Sequence, residues 1–322
     1  MKQHHHTASA GSLSGAATEK ASAGDAYLTP RVFEVEISGG RTIRAYEVGP
    51  PDVPLVVGIH GTPNTGLGHI VNYVASGAIF CRLVTFDRQG YGGSTPQPGR
   101  KVSDIAPVVE AILTHLSVDI AAVFGSSGGG PHALAAAALL PNRISRVASL
   151  AGGGPNFGPG FDCADGQVPL MREEIVEARK GPDASRQFYR RVAASRHDPE
   201  IEKELYSLND RRIRRLLAPL SENLAQQLAL PDSPYLEEDA YVDDYQSFVS
   251  PWGFELGSIQ VPVRFFHGLA DLMVPPRHSE WLQSQIPNAS LELFPNVGHT
   301  FSQLMPHVFA WLVANETKDQ RL

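Results

Sequence analysis

The strongest constraint on the fold is a repeated alternation of short apolar runs with helical patterns. Each apolar run is typical of a strand, and most end in a loop that contains Gly, Asp or His. Repeated strand–helix–strand spacing predicts an α/β protein, with a mainly parallel sheet covered by helices on both faces. The predicted strands are 32–37, 42–48, 54–59, 82–86, 120–124, 147–150, 261–266 and 291–294, and the predicted helices are about 68–77, 103–116, 128–140, 277–286 and 303–314.

One long stretch interrupts this alternation. Residues 165–250 contain no strand pattern, and the segments 173–179, 185–194 and 200–217 have helical spacing with faces of Arg and Glu. We therefore predict a helical cap at 165–250, lying over a core formed by 27–164 and 251–322. Residues 1–26, which include three consecutive histidines, are rich in Ala, Ser, Gly and Thr and predict a disordered tail or a tag.

Composition and charge exclude several classes of protein. The net charge of −7 argues against nucleic-acid binding, which requires a basic face. The longest nearly pure apolar run, 133–140, is far shorter than the ~20 residues of a membrane-spanning helix. Cys81 and Cys163 are too few for a disulfide framework, which favours free thiols in a reducing compartment. We expect a cytoplasmic protein that acts on a small molecule without a nucleic-acid or membrane partner; its oligomeric state is left open.

The segment Gly125-Ser126-Ser127-Gly128-Gly129 carries the strongest chemical signal. It has the pattern G-x-S-x-G and lies between a predicted strand and an Ala-rich helix, the context in which a sharp turn exposes a nucleophilic serine. Small residues two positions before and after the serine let strand and helix approach closely. This register selects Ser127, because centring the turn on Ser126 would put Phe124 where a small side chain is needed.

A serine hydroxyl needs a base, and the base needs an acid to orient it. His299 follows the last predicted strand and Asp271 follows the strand before it, so both are expected at the same sheet edge as Ser127. The chain order Ser127, Asp271, His299 is the order expected for this arrangement. Asp162 and Asp165 are the alternative acids. Of the other histidines, His132 is expected to pack or cap at the start of the helix after the serine.

Two further loops support this chemistry. The oxyanion of a tetrahedral intermediate needs N–H donors, and we expect them from the backbone of Gly128 and of Thr62, in the segment His60-Gly61-Thr62-Pro63. The Gly-rich segment 87–94 has neither G-x-G-x-x-G nor G-K-[ST], so it predicts a structural loop and not a nucleotide site. No Cys/His cluster with metal-ligand spacing occurs outside the tail, and neither a metal nor another cofactor is predicted.

Taken together, these segments resemble the α/β-hydrolase superfamily, over about residues 32–314. The resemblance implies an eight-stranded sheet, a Ser127–His299–Asp271 triad and a cap between strands six and seven. The oxyanion loop is similar to that of the peptidase S33 and epoxide-hydrolase-like branch. Epoxide-opening relatives carry an aspartate nucleophile, where this chain has serine. Prolyl aminopeptidases resemble G-G-S-W-G and H-G-G-P-G, whereas this chain has Gly128 after the serine and Thr62 in the oxyanion loop.

The sequence therefore predicts a serine hydrolase that cleaves a carboxylic ester or lactone. An aminopeptidase would use the same triad and would need an acidic cap residue for a free amine, for which Glu173, Glu174 and Glu177 are candidates. A carbon–carbon bond hydrolase would also share the triad. The alternative from another class is a ligand-binding protein on the same scaffold, without turnover.

Overall fold

A computed structural model describes residues 27–77, 80–156, 160–195, 198–230, 233 and 236–314 of the 322-residue chain. The tail predicted at 1–26 lies outside the described residues. Eight strands form one sheet in the order β1-β2-β4-β3-β5-β6-β7-β8. The strands are β1 (Arg31–Ile37), β2 (Arg41–Val48), β3 (Leu55–Ile59), β4 (Arg82–Phe86), β5 (Ala121–Ser126), β6 (Ile144–Leu150), β7 (Val263–Gly268) and β8 (Ala289–Phe294).

The sheet is parallel from β4 to β8 and antiparallel at its β1–β2 end. All eight predicted strands occur, and the mostly parallel eight-stranded sheet is confirmed. The largest differences lie at strand starts: β6 begins at Ile144, three residues before the prediction, because Ile144 pairs with Ala121 at the start of β5. Ser145 and Arg146 interrupt the apolar run there, so the sequence pattern did not reveal the first paired residues of β6.

Ten α-helices occur in the described part of the chain. Five pack on the sheet, and five lie between β6 and β7. In chain order they are α1 (Leu67–Ser76), α2 (Ala106–His115), α3 (Gly129–Leu139), α4 (Pro169–Lys180), α5 (Pro182–Ala194), α6 (Pro199–Leu205), α7 (Leu208–Gln227), α8 (Glu237–Phe248), α9 (Arg277–Gln285) and α10 (Met305–Val313).

The two faces of the sheet carry separate apolar cores. Alternate residues of a strand point to opposite faces, so Val57 packs with α2, α3 and α9 on one side. Val56 packs with α1 and α10 on the other. This layering places every strand–helix loop of the parallel part at one of two edges, and the loops that carry the predicted site residues share the edge at the strands' carboxyl ends.

Among the described residues of 169–248, the regular elements are the helices α4 to α8 and no strand occurs, as the lack of strand patterns predicted. The single predicted segment 200–217 is instead two helices, because the chain leaves helical geometry at Tyr206 and Ser207. Ser207 begins α7 as its N-cap: its hydroxyl accepts a hydrogen bond from the Asp210 amide at 3.2 Å. The division into core and cap at residues 165 and 250 stays a prediction.

In the part of the chain that the structure describes, no helix combines the length and the apolar character needed to cross a membrane.

Candidate active site

Ser127 lies at a sharp turn between β5 and α3. Its φ of +52° is in the left-handed region, which non-glycine residues rarely occupy. The turn is held from both sides: the Ser127 amide donates to the Leu150 carbonyl at 2.8 Å, and the Gly130 amide donates to the Ser127 carbonyl at 2.9 Å. The strained backbone therefore has a fixed partner on the neighbouring strand β6 and another in the helix that follows.

Glycines around this turn allow very close packing of backbone on backbone. A Cβ at Gly125 would overlap the carbonyl group of Gly129, and a Cβ at Gly129 would overlap the carbonyl oxygen of Ile59 on β3. The small residues expected two positions before and after Ser127 are thus required by sterics at those positions.

Asp271 and His299 are joined directly. The His299 Nδ1 lies 2.7 Å from Asp271 Oδ2, and the Asp271 carboxylate is fully buried. The other oxygen, Oδ1, accepts hydrogen bonds from the amides of Met273 at 2.9 Å and Val274 at 3.0 Å. His267 Nε2 approaches Oδ2 at 3.4 Å. The carboxylate is therefore fixed in place, and it holds the His299 ring through Nδ1.

Burial and charge act in opposite directions on this pair. Burial alone would raise the pKa of Asp271, but the charge of His299 and the hydrogen bonds from His267 and His299 hold it well below its ordinary value. Burial alone would lower the pKa of His299, but the Asp271 carboxylate raises it above its ordinary value. The opposite charges of Asp271 and His299 thus favour an ionised carboxylate beside a protonated imidazole.

Ser127 and His299 both line a cavity of about 820 Å³ under the cap helices, and Ser127 also lines a second cavity of about 70 Å³. Within the described part of the chain no hydrogen bond joins the Ser127 hydroxyl to the His299 ring. Contacts between a nucleophile and its base commonly tighten only when substrate binds.

The expected oxyanion donors lie side by side next to Ser127. The Thr62 side chain abuts the Cα of Gly128, so that a Cβ at Gly128 would lie 2.6 Å from Thr62 Oγ1. Both residues line the small cavity together with Ser127. Thr62 Oγ1 donates to Asp244 Oδ2 at 2.5 Å, which fixes the loop that carries the Thr62 amide.

A buried ion pair ties this loop to the cap. Arg88, in the Gly-rich segment 87–94, donates to the carbonyl oxygens of His60 at 3.0 Å and Gly61 at 3.1 Å. The same guanidinium pairs with both carboxylate oxygens of Asp244, on α8, at 2.6 and 2.7 Å. The segment that the sequence predicts to be structural thus joins the loop after β3 to α8.

The alternative acids and the histidine nearest the serine turn make other contacts. Asp162 and Asp165 are exposed, and Asp165 pairs with Arg277 instead of His299. His132 packs its ring edge-on against Phe248, its Nδ1 lies 2.9 Å from the Gly128 carbonyl oxygen, and burial lowers its pKa to about 3. In the described residues, no group of three or more His, Cys, Asp or Glu side chains is placed to hold a metal ion.

Sequence reasoning missed two cap residues that touch the site loops, Asp244 on α8 and Asp210 on α7. Asp244 has no local motif. Asp210 is the last residue of a Ser-x-x-Asp capping box that begins at Ser207. That motif identifies the start of a helix, but it carries no information about the loop that the carboxylate contacts.

The comparison with known families agrees with this architecture. The family model described as "alpha/beta hydrolase fold" matches residues 54–302, which is most of the chain. The chain therefore belongs to the alpha/beta hydrolase fold family. The matched range begins just before β3 and runs through Thr62, Ser127, Asp271 and His299.

Individual relatives are more distant. The chain is 26% identical, over 68% of its length and 70% of the relative's, to a 2-hydroxy-6-oxononadienedioate/2-hydroxy-6-oxononatrienedioate hydrolase of Cupriavidus pinatubonensis. It is 34% identical to a proline iminopeptidase of Xanthomonas citri, over 32% of this chain and 34% of the peptidase. An esterase from Exiguobacterium antarcticum shares the fold, with a TM-score of 0.61 and 16% identity, over 88% of this chain and 99% of the esterase chain.

Proposed function

We propose that this protein is a serine hydrolase that cleaves a carboxylic ester or lactone of a small molecule through an acyl-enzyme on Ser127. The observation that carries the proposal is the strained turn at Ser127, which faces the same cavity as a histidine whose Nδ1 is held by a buried carboxylate. A fixed serine, an oriented imidazole and a buried acid are the parts that acyl transfer requires.

The proposed reaction has two halves. Ser127 Oγ attacks the carbonyl carbon while its proton passes to Nε2 of His299, and the oxyanion accepts hydrogen bonds from the backbone N–H groups of Gly128 and Thr62. The intermediate collapses, the carbon–oxygen bond to the alcohol breaks, and His299 returns its proton to the departing oxygen. Water then gives a proton to Nε2 of His299 and attacks the acyl carbon. The bond from the acyl carbon to Ser127 Oγ breaks, and His299 returns the proton to Oγ, which frees the acid and restores both residues.

A fluorophosphonate tests this proposal without knowledge of the substrate. We expect intact-mass analysis to show one adduct, and peptide mapping to place it on Ser127. His299→Ala should lose the adduct, because the hydroxyl is then no longer activated. A folded parent protein that takes no adduct would contradict the proposal and favour a ligand-binding protein. If the adduct forms on Ser127, a panel of aryl esters, lactones and a vinylogous diketone separates ester hydrolysis from carbon–carbon bond cleavage.

The rate should depend on the protonation of His299. Only the neutral imidazole accepts a proton, and Asp271 raises its pKa above the ordinary value of 6.5. We therefore expect kcat/KM for an activated ester to rise with pH through one proton loss, with a midpoint above about 6.5. Initial rates between pH 5 and 9 measure this. A midpoint below 6 would contradict the assigned role of the His299–Asp271 pair.

One observation favours a second candidate, a hydrolase that acts on substrates bearing a free amine. Of the three candidate cap glutamates, only Glu174 lines the cavities on both sides of Ser127. Its Oε1 accepts a hydrogen bond from the Tyr241 hydroxyl at 2.5 Å, and the Tyr245 hydroxyl also acts on the carboxylate. Within the described residues, the buried Oε2 has no hydrogen bond of good geometry. Burial raises the pKa of Glu174 to about 7. An ammonium group would stabilise the charged form and satisfy Oε2.

Glu174→Gln separates the two candidates. Two aryl esters are compared, one of an amino acid and one of the same acid without its amino group. If Glu174 binds an amine, the variant should lower kcat/KM for the amino ester by about 10- to 100-fold, since hydrogen bonds to charged groups contribute about 1.5–3 kcal/mol, and should change the other ester little. Glu173→Gln is the matched control, because Glu173 pairs with Arg191 at the surface. Equal effects on both esters would exclude amine recognition.

A further inference from the structure

The backbone of the His299 loop is held by a carboxylate of the cap. Asp210, in the first turn of α7, is 1% exposed. Its Oδ2 accepts a hydrogen bond from the His299 amide at 3.1 Å, and its Oδ1 accepts one from the Thr300 amide at 2.8 Å. A single side chain thus binds two successive N–H groups of the loop that carries the proposed base.

Asp210 is itself fixed by the start of its helix. The Ser207 hydroxyl donates to Asp210 Oδ2 at 2.8 Å, and the Ser207 amide donates to the same oxygen at 3.2 Å. On the other side, the Asp210 carboxylate packs directly on the backbone of Gly298, since a Cβ at that position would overlap the carboxylate. The carboxylate therefore fits against the loop with little freedom to shift.

We propose that Asp210 is a positioning residue that couples docking of the cap to assembly of the catalytic base. When α7 lies on the core, Asp210 holds the His299 loop in the geometry that presents Nε2 toward Ser127. When α7 moves away, two backbone N–H groups lose their acceptor and the loop loses its restraint. Because the cap also covers the large cavity, the base is complete only when substrate is enclosed. This inference rests on the proposed function.

Charge adds a second effect of Asp210. The charged groups that act on His299 are Asp271, at 2.7 Å on Nδ1, Asp210 on the backbone side, and Arg214, one turn further along α7. His267 acts through its contact with Asp271. The Asp210 charge raises the pKa of His299 and Arg214 lowers it. Removing the Asp210 charge should therefore shift the acid limb of the rate profile to lower pH, which a purely structural contact would not do.

The test compares the rate of fluorophosphonate labelling of Ser127 in the parent protein and in Asp210→Asn. We expect the variant to stay folded, to react about 10- to 100-fold more slowly because a displaced reacting group costs rates of this order, and to show its acid limb at lower pH. Gly298→Ala, which keeps the carboxylate but pushes the loop from it, should also slow labelling. If Asp210→Asn does not fold, the labelling rate of Gly298→Ala tests the positioning role of Asp210 in its place.

One control separates positioning from helix stability. Asp198→Ala removes the N-cap of the neighbouring α6, where Asp198 accepts from the Glu200 amide at 2.9 Å, and leaves Ser207 and Asp210 in place. It should label within about threefold of the parent, a small loss beside that expected for Asp210→Asn. Ser207→Ala removes a hydrogen bond that fixes Asp210, so it should slow labelling by less than Asp210→Asn but by more than Asp198→Ala. Labelling of folded Asp210→Asn at the parent rate, or an equal loss in Asp198→Ala, would overturn the inference. A parent protein that does not label at all would overturn the proposed function, and this inference with it.

Discussion

Ser127→Ala is expected to lower turnover by about 10⁶-fold, since removal of a triad nucleophile has an effect of that order. The variant retains the cavity, the His299–Asp271 pair and the oxyanion donors, but it has no atom that can form the acyl-enzyme. Alanine is smaller than serine and leaves the turn, its glycines and its hydrogen bonds to Leu150 and Gly130 in place. Steady-state kcat for an activated aryl ester, with the thermal midpoint as a check on folding, measures the loss.

Ser126→Ala is the matched control, because Ser126 is the adjacent residue and the sequence offers two serines at this turn. The Ser126 hydroxyl lies 3.4 Å from Nε2 of His69, a buried histidine whose pKa burial lowers to about 4. We expect this variant to keep kcat within about tenfold of the parent, far from the loss expected at the nucleophile. If Ser126→Ala lost activity and Ser127→Ala retained it, the register assigned to the turn would be wrong.

Much of the core could be predicted from the sequence, because strands buried on both faces are continuous apolar runs. The run 54–59 predicted β3, all of whose residues are buried. The predicted strand bounds were wrong where the strand pairing extends beyond the run of apolar side chains. In β6, Ser145 is exposed, so the apolar pattern begins only at Val147 although pairing begins at Ile144. In the cap, one helical pattern runs across Tyr206, and the capping box of Ser207 and Asp210 marks where α7 begins.

The proposed site residues could be selected from the sequence because each lies in a short loop after a strand, and parallel strands bring such loops to one edge. The contacts that the cap makes with these loops could not be predicted from the sequence. Asp210 lies 89 residues from His299, and Asp244 lies 156 residues from Arg88. No local pattern relates these positions, since their contacts depend on how the cap helices dock. These contacts therefore had to come from the structure, and they join α8 to the Thr62 loop and α7 to the His299 loop.

Asp244→Ala is expected to destabilise the protein by about 3–5 kcal/mol, the cost of removing one partner from a buried ion pair. Asp244 and Arg88 are both fully buried, and Arg100, 1% exposed at its side chain, also pairs with Asp244 at 2.7 Å. The variant leaves two guanidinium groups without this carboxylate in a site that water does not reach. The hydroxyls of Thr62 and Tyr91 lose the same acceptor. Urea unfolding followed by circular dichroism measures the change in the free energy of unfolding.

Asp243→Ala is the control that separates the buried position from the loss of a negative charge. Asp243 is the preceding residue of α8, its side chain is 17% exposed, and it accepts from the Gly99 amide at 3.1 Å and from Arg100 at 3.2 Å. Because Arg100 keeps Asp244 in this variant, we expect a loss of only about 1 kcal/mol. Similar losses in the two variants would show that the Arg88–Asp244 pair is not what joins α8 to the core. A larger loss at Asp244, together with slower labelling of Ser127, would show that the same pair secures the cap and holds the oxyanion loop.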